Sequence, residues 1–212
     1  LGFHPPAVIA KMAASVDEVS NGRLILGVGA GWNQPEFTAF DIPFDRRGAR
    51  FEEAFKIVQT LTSGERCTFL GDFNQVHDAV LLPTPLRSIP LMVGSIGERV
   101  LRASLPKVQW WNTWFDWYAN NADGFNTLNQ RISKIATEVG RDDKTLLRSA
   151  CLLVVTESSA GERPIPTDYH AATLSNVRQQ IIELRDAGAD EVILVSDPIN
   201  EWSIRTLAEV LR

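Results

Sequence analysis

The stretch from Ser20 to Asn33, which reads SNGRLILGVGAGWN, constrains the fold of this chain more than any other segment. With the two-residue period of a strand, it has one apolar face and one nearly bare face. The apolar face consists of Leu24, Leu26, Val28 and Ala30, and the bare face of Ile25, Gly27, Gly29 and Gly31. Because glycine costs backbone entropy and packs no side chain, the bare face indicates either a flat ligand against the strand end or a tight barrel corner.

The same stretch is a poor match to a dinucleotide-binding fingerprint. Gly29-Ala30-Gly31 is followed by Gln34, where that fingerprint has a third glycine. The sequence therefore argues against a Rossmann domain.

Apolar strands alternate with helices along the rest of the chain, which predicts an α/β fold with a parallel sheet. Five strands are predicted, at residues 24–30, 89–93, 108–112, 150–156 and 191–196. Residues 33–45 are predicted to form a loop, and residues 62–88 an insertion that contains a hairpin around Gly71-Asp72. A (β/α)8 barrel is the natural candidate for this order, but it needs eight strands. We therefore expect an incomplete TIM-barrel-derived fold, in one domain over residues 1–212.

A glycine-containing turn from Gly94 to Arg99 joins the second predicted strand to a helix. Such a turn offers backbone N–H groups to a phosphate, and Arg99 adds a charged fork. The alternative is an ordinary strand-to-helix turn in which Ser95 caps the helix. Both interpretations stay open at this point.

Composition and charge exclude several classes of partner. A net charge of −5 without a cluster of Lys or Arg argues against nucleic acid and anionic membranes as partners. No apolar run has the length of a membrane helix, and the two distant cysteines, Cys67 and Cys151, are typical of small buried side chains rather than of a disulfide or a metal site. We expect a cytoplasmic protein without a metal.

No recognisable catalytic motif stands out in the chain. The three histidines, His4, His77 and His170, are scattered, and there is no nucleophile elbow or Walker loop. Four of the six tryptophans lie between residues 110 and 117, where they are typical of a pocket, an interface or a core patch. No catalytic residue is therefore assigned.

Several motifs together resemble the luciferase-like monooxygenase family of flavin- and coenzyme F420-dependent oxidoreductases. They extend over nearly the whole chain, in family order: Gly22-Arg23-Leu24 through Asn33, Ile42-Pro43-Phe44, Arg50 through Ala54, Pro83-Thr84-Pro85, Gly94 through Arg99, Trp111-Asn112, Gly140-Arg141-Asp142 and Ala187 through Glu191. The resemblance implies a (β/α)8 barrel with an insertion, and FMN or coenzyme F420 as cofactor at the carboxyl ends of the strands.

The resemblance also implies positions for the cofactor. Gly29, Gly31 and Asn33 are expected beside its ring or side chain, and the phosphate is expected near four residues of the second turn, Gly94, Ser95, Gly97 and Arg99. His4 matches a family His-Pro at the start of a helix and is not assigned as a catalytic base.

If the chain begins where the resemblance begins, the first three barrel strands are missing, and strands four to eight remain. Two functions follow as hypotheses: an oxidoreductase that acts on a small-molecule substrate, or a non-catalytic, oligomeric family member with weak or no cofactor binding. Because an incomplete sheet exposes unpaired edges, we expect a homodimer that covers them.

Overall fold

The computed structural model describes residues 1–157, 161, 163 and 171–212, which belong to two compact units. The first unit contains residues 1–110 and 139–141, and the second contains residues 111–138 and 142–212. A single domain over residues 1–212 stays a prediction.

The first unit combines a parallel strand pair with a hairpin. Its elements are α1 (Pro6–Val19), β1 (Leu26–Val28), α2 (Gln34–Ala39), α3 (Arg47–Thr62), β2 (Cys67–Leu70), β3 (Gln75–Ala79), β4 (Leu91–Gly94) and α4 (Glu98–Ser104). Strand β1 pairs in parallel with β4, Leu26 opposite Leu91 and Val28 opposite Val93, whereas β2 and β3 pair antiparallel. The predicted parallel pairing and the insertion hairpin are confirmed.

The core of the first unit lies between α1, α3 and the hairpin. It includes Ala10, Ile57, Leu61, Cys67 and Leu81. The aromatic stripe of α3 is buried as well, since both Phe51 and Phe55 are only 2% exposed. Burying one such side chain is worth about 1.5–3 kcal/mol, so the spacing of apolar residues on α3 reflects packing.

The second unit is built on a long parallel strand pair. Its elements are β5 (Trp110–Thr113), α5 (Ala122–Glu138), β6 (Leu147–Val155), β7 (Ala172–Thr173), α6 (Val177–Asp186), β8 (Glu191–Asp197) and α7 (Glu201–Val210). Strand β6 pairs in parallel with β8 from Ser149–Glu191 to Val155–Asp197, and with β7 at Val154 and Val155. The continuous burial of β6 matches a strand covered on both faces, as its apolar sequence predicts.

Two local predictions differ from the structure, and one short strand was not predicted. The predicted loop at 33–45 contains α2, which begins beside Pro35 and buries Phe37. Strand β1 begins at Leu26 because the backbone of Leu24 bonds to side chains instead: its N–H donates to Asp17 Oδ1 (3.2 Å) and its carbonyl accepts from Arg87 Nη2 (2.8 Å). The two-residue strand β7 is too short to give a periodic sequence signal.

Candidate cofactor site

The carboxyl ends of β1 and β4 meet at one edge of the first unit. Because Val28 lies opposite Val93, Gly29 and Gly94 follow side by side. A Cβ atom on Gly29 would lie 3.2 Å from the carbonyl oxygen of Gly94. In parallel α/β proteins this edge is where ligands bind. The fold therefore brings the two glycine-containing turns, distant in sequence, next to each other.

The three glycines on the bare face of the first stretch have different surroundings. A Cβ atom on Gly27 would meet no atom within 4 Å, so this position faces open space. A Cβ atom on Gly31 would lie 2.8 Å from the Phe37 ring, and the φ of Gly31 is +78°, a region that disfavours side chains. At Gly31, the protein itself fills the volume that the sequence pattern leaves for a ligand.

The turn between β4 and α4 has a defined hydrogen-bonding pattern. Ser95 Oγ accepts a hydrogen bond from the N–H of Gly97 (3.0 Å), and Gly97 is the residue before the helix. Arg99 Nη2 donates to Glu52 Oε2 (2.6 Å), and this carboxylate raises the pKa of Arg99. Arg99 is mostly exposed. A phosphate at this turn would therefore compete with Glu52 for the guanidinium.

Asn33 and the three histidines are the other residues that the sequence singled out. Asn33 precedes α2, and its side chain makes no capping hydrogen bond. His4 is exposed at the start of α1, and His77 is exposed on β3. His170 lies outside the described residues. None of these described positions supports the assignment of a catalytic residue.

A cavity of about 480 Å³ lies in the first unit beside the β1 turn, which it reaches at Ala30. Phe37, Phe51 and Phe73 contribute aromatic surface, and Arg47 and Arg50 contribute charge. Sequence reasoning missed this cavity. The sequence feature that could have indicated a charged cavity is the pair of adjacent arginines, Arg46 and Arg47, at the start of the helix.

The hairpin loop beside this cavity is held by one carboxylate. Glu53 on α3 accepts hydrogen bonds from the backbone N–H groups of Asp72 (2.9 Å), Phe73 (2.9 Å) and Asn74 (2.8 Å). Burial by itself would raise the pKa of Glu53, but the three donors outweigh it and lower this pKa below its ordinary value. The loop that carries Phe73 is therefore anchored to the helix that carries the arginines.

The second unit contains a polar cluster of its own. Ser149 Oγ donates to Glu191 Oε2 (2.7 Å) and accepts from Asn112 Nδ2 (3.0 Å). Tyr118 donates to the carbonyl of Cys151 (2.6 Å), and burial raises the pKa of both side chains. These pKa shifts keep both groups protonated at neutral pH. Because these side chains form hydrogen bonds with groups of the protein itself, the cluster is a structural network.

The tryptophans of the second unit divide between core and surface. Trp111 is fully buried and stacks on Phe125 with ring centroids 6.2 Å apart, whereas Trp117 is 36% exposed. The interpretation of this aromatic run as a core patch therefore holds for Trp111.

The described residues also bear on metal binding and on membrane insertion. Within residues 1–157, 161, 163 and 171–212, no group of three or more His, Cys, Asp or Glu side chains is arranged to hold a metal ion. In the same part of the chain, no helix is both long and apolar enough to cross a bilayer. Cys67 and Cys151 are buried free thiols, as predicted.

Comparison with known proteins supplies a family and a fold. The profile of the luciferase-like monooxygenase family matches residues 1–163. An uncharacterised protein of Mycobacterium tuberculosis, Rv0940c, is 30% identical over 141 residues, which cover 66% of this chain and 47% of that protein. The pyrimidine monooxygenase RutA of Yersinia enterocolitica is 30% identical over 143 residues, 65% of this chain and 39% of RutA. The chain thus matches less than half the length of these relatives.

Among solved structures, the coenzyme F420-dependent tetrahydromethanopterin reductase from Methanopyrus kandleri superposes with a TM-score of 0.77. The superposition covers 98% of this chain and 78% of the reductase, at 17% sequence identity. At this identity the likeness shows the fold alone. The predicted TIM-barrel-derived fold, incomplete against the eight strands of a full barrel, is confirmed.

Proposed function

The chain belongs to the luciferase-like monooxygenase family, and from this membership we propose that it is an oxidoreductase or monooxygenase that uses FMN or coenzyme F420 on a small-molecule substrate. The observation that carries the proposal is the meeting of Gly29 and Gly94 at the carboxyl edge of β1 and β4. Fluorescence titration with each cofactor decides between FMN and coenzyme F420.

The residues at this edge fit a flat cofactor. Gly27 faces open space, and Gly29 and Gly94 present backbone without side chains, so a planar ring can approach the strand ends. We assign the ring to Gly29 and Asn33, since Phe37 occupies the space beside Gly31, and the phosphate to Gly94, Ser95, Gly97 and Arg99. The cofactor supplies hydride transfer or oxygen activation, and the chain binds, orients and shields it.

Glu52 sets how available Arg99 is for a phosphate. The two side chains form an ion pair in which Arg99 is mostly exposed, and ion pairs in contact with solvent are weak. A phosphate can displace so weak a partner. The pair therefore acts as a modest competitor, and removing the carboxylate should favour the cofactor.

We expect saturable binding in fluorescence titrations with FMN or with coenzyme F420. Arg99→Ala should weaken binding about tenfold, because it removes a charge-assisted hydrogen bond. Glu52→Gln should tighten binding up to about fivefold, because it releases Arg99 from an exposed ion pair. Arg102→Ala, one turn further along α4 and paired with Glu98, is the matched control and should change little.

One outcome of these titrations would contradict the proposed function. If the folded protein binds neither cofactor at high micromolar concentration, the oxidoreductase proposal fails, and a non-catalytic family member is the better description. Equal affinities for Arg99→Ala and Arg102→Ala would reject only the phosphate assignment.

We also propose that the protein is a homodimer. Helix α1 presents an exposed apolar stripe beside the half-buried Leu24 and Leu26. From the first to the last turn of the helix, the stripe consists of Val8, Met12, Val16 and Val19. A contiguous apolar patch of this kind marks interaction surfaces. Sedimentation should show a dimer, and Met12→Lys should convert it to a monomer because it places a charge in the apolar stripe. The other methionine, Met92, is not suitable for this test because it lies on strand β4. A monomer at tens of micromolar would reject the proposal.

The free, buried cysteines support a cytoplasmic location, which we include in the proposal.

A further inference from the structure

The cavity beside the β1 turn has the composition of a ligand pocket. Its volume of about 480 Å³ lies in the range of small-molecule sites, roughly 300–1,000 Å³. Phe37 and Phe51 are buried at its wall, and Phe73 lies on the hairpin loop that Glu53 anchors. An apolar or aromatic body would contact these rings.

The charges at the cavity wall are unbalanced. Arg47 and Arg50 line it, and within the described residues no Asp or Glu does. Arg50 is neutralised from outside, because Arg50 Nη2 donates to Asp45 Oδ1 (3.1 Å). The neighbouring Arg46 and Arg50 lower the pKa of Asp45, which keeps this carboxylate charged. Arg47 has no carboxylate partner in the described part of the chain. The Arg47 guanidinium at the wall is therefore left without a neutralising carboxylate.

Arg47 is also held in place before any ligand binds. Its Nη1 donates to the carbonyl oxygen of Gly31 (2.8 Å), and its guanidinium lies over the Phe44 ring, 3.9 Å from the centroid. These two contacts leave the Nε and Nη2 donors for a further partner. A guanidinium fixed in this way loses little entropy when it binds a planar, bidentate acceptor.

We propose that this cavity binds the carboxylate of an amphipathic substrate, with Arg47 on the carboxylate and the phenylalanine rings around the apolar body. The planar guanidinium of Arg47, free of a carboxylate partner, matches a planar, bidentate carboxylate. The inference rests on the proposed function, because the hydrogen bond to Gly31 places Arg47 beside the turn assigned to the cofactor. It names the substrate class of that site as aryl or alkyl carboxylic acids.

The test is calorimetric titration of the whole chain with phenylacetate, with its neutral isostere phenylacetamide, and with inorganic phosphate. Phenylacetate should bind at least about tenfold more tightly than the amide, since only the acid makes charge-assisted hydrogen bonds. Arg47→Gln should remove this preference and leave the affinity for the amide unchanged. Arg66→Gln, which removes an exposed arginine of the hairpin outside the cavity, is the matched control.

A second variant keeps the test independent of the fold around Arg47. Gln75 is exposed at the cavity wall, so Gln75→Glu adds a negative charge without burying it. It should weaken phenylacetate binding severalfold and leave phenylacetamide binding unchanged. Circular dichroism melts verify that each variant is folded.

The outcomes separate this inference from the proposed function. Equal affinity for acid and amide, tighter binding of phosphate, or an Arg47→Gln variant with unchanged acid preference would overturn the inference, even if FMN or coenzyme F420 binds. Carboxylate binding in a protein that binds neither cofactor would overturn the assignment of the ligand as a substrate, and with it the proposed function.

Discussion

Replacing Arg148 by methionine is expected to destabilise the protein by about 1–3 kcal/mol, because it removes a buried guanidinium and leaves the acceptors on its partners without donors. The Arg148 side chain is 8% exposed. Its Nε donates to Asn129 Oδ1 (2.9 Å), its Nη2 donates to Ser133 Oγ (3.0 Å), and it also pairs with Asp143. The guanidinium thus joins α5 to the start of β6. Urea denaturation of both proteins at neutral pH measures the difference.

The control for this substitution is Arg185→Met. Arg185 pairs with the adjacent Asp186 on the surface, where both side chains are more than 60% exposed, at 65% and 62%. Its loss should cost less than about 1 kcal/mol. If Arg148→Met cost no more than Arg185→Met, the hydrogen-bonded hub around Arg148 would have no energetic role.

Asp17→Asn is expected to cost about 2 kcal/mol at neutral pH, the penalty for weakening a buried, charge-assisted contact. Asp17 is 4% exposed. Its carboxylate accepts two hydrogen bonds from Arg87, at 2.6 and 3.2 Å, and one from the N–H of Leu24. The contact joins the end of α1 to the segment before β1 and to the segment before β4.

The same carboxylate makes stability depend on pH. The Arg87 guanidinium lowers the pKa of Asp17, helped by the Leu24 N–H, and together they outweigh the opposite effect of burial. A depressed pKa contributes stability that is fully present above the unfolded value of about 4 and is lost as the pH falls through the folded value. The stability difference between the native protein and Asp17→Asn should therefore shrink below about pH 4.

Denaturation curves at neutral pH and at about pH 3 test this dependence. Asp78→Asn is the control, since Asp78 is 76% exposed in its ion pair with Arg66 and should show no comparable change. A difference between the native protein and Asp17→Asn that stayed constant with pH would contradict the assignment of the buried ion pair.

The hydrophobic patterns predicted the main elements well, because burial on one face leaves a regular trace in the sequence. The apolar runs of β6 and β8 and the stripe of α3 are the clearest examples. The hydrophobic pattern predicted the first and last residues of these helices and strands less accurately than their positions in the chain. Strand β1 begins two residues later than its pattern, since the partners of Leu24 are side chains distant in sequence.

The candidate site was predicted in part. The two glycine-containing turns were found from their composition and from the family resemblance, but nothing in the linear sequence shows that Gly31 packs against Phe37. Glu52 likewise carries no signal for its pairing with Arg99, because the two residues lie on different helices.

By itself, the sequence determined the family, the α/β class and the positions of the strands and turns, since these depend on local composition and on periodic burial. Only the tertiary structure decided which side chains are neutralised and which are not. Arg50 and Arg47 lie on the same helix turn, yet one faces Asp45 and the other faces a backbone carbonyl and an aromatic ring. Such differences arise because hydrogen bonds and ion pairs depend on distances of about 3 Å between residues that the fold, and not the sequence order, brings together.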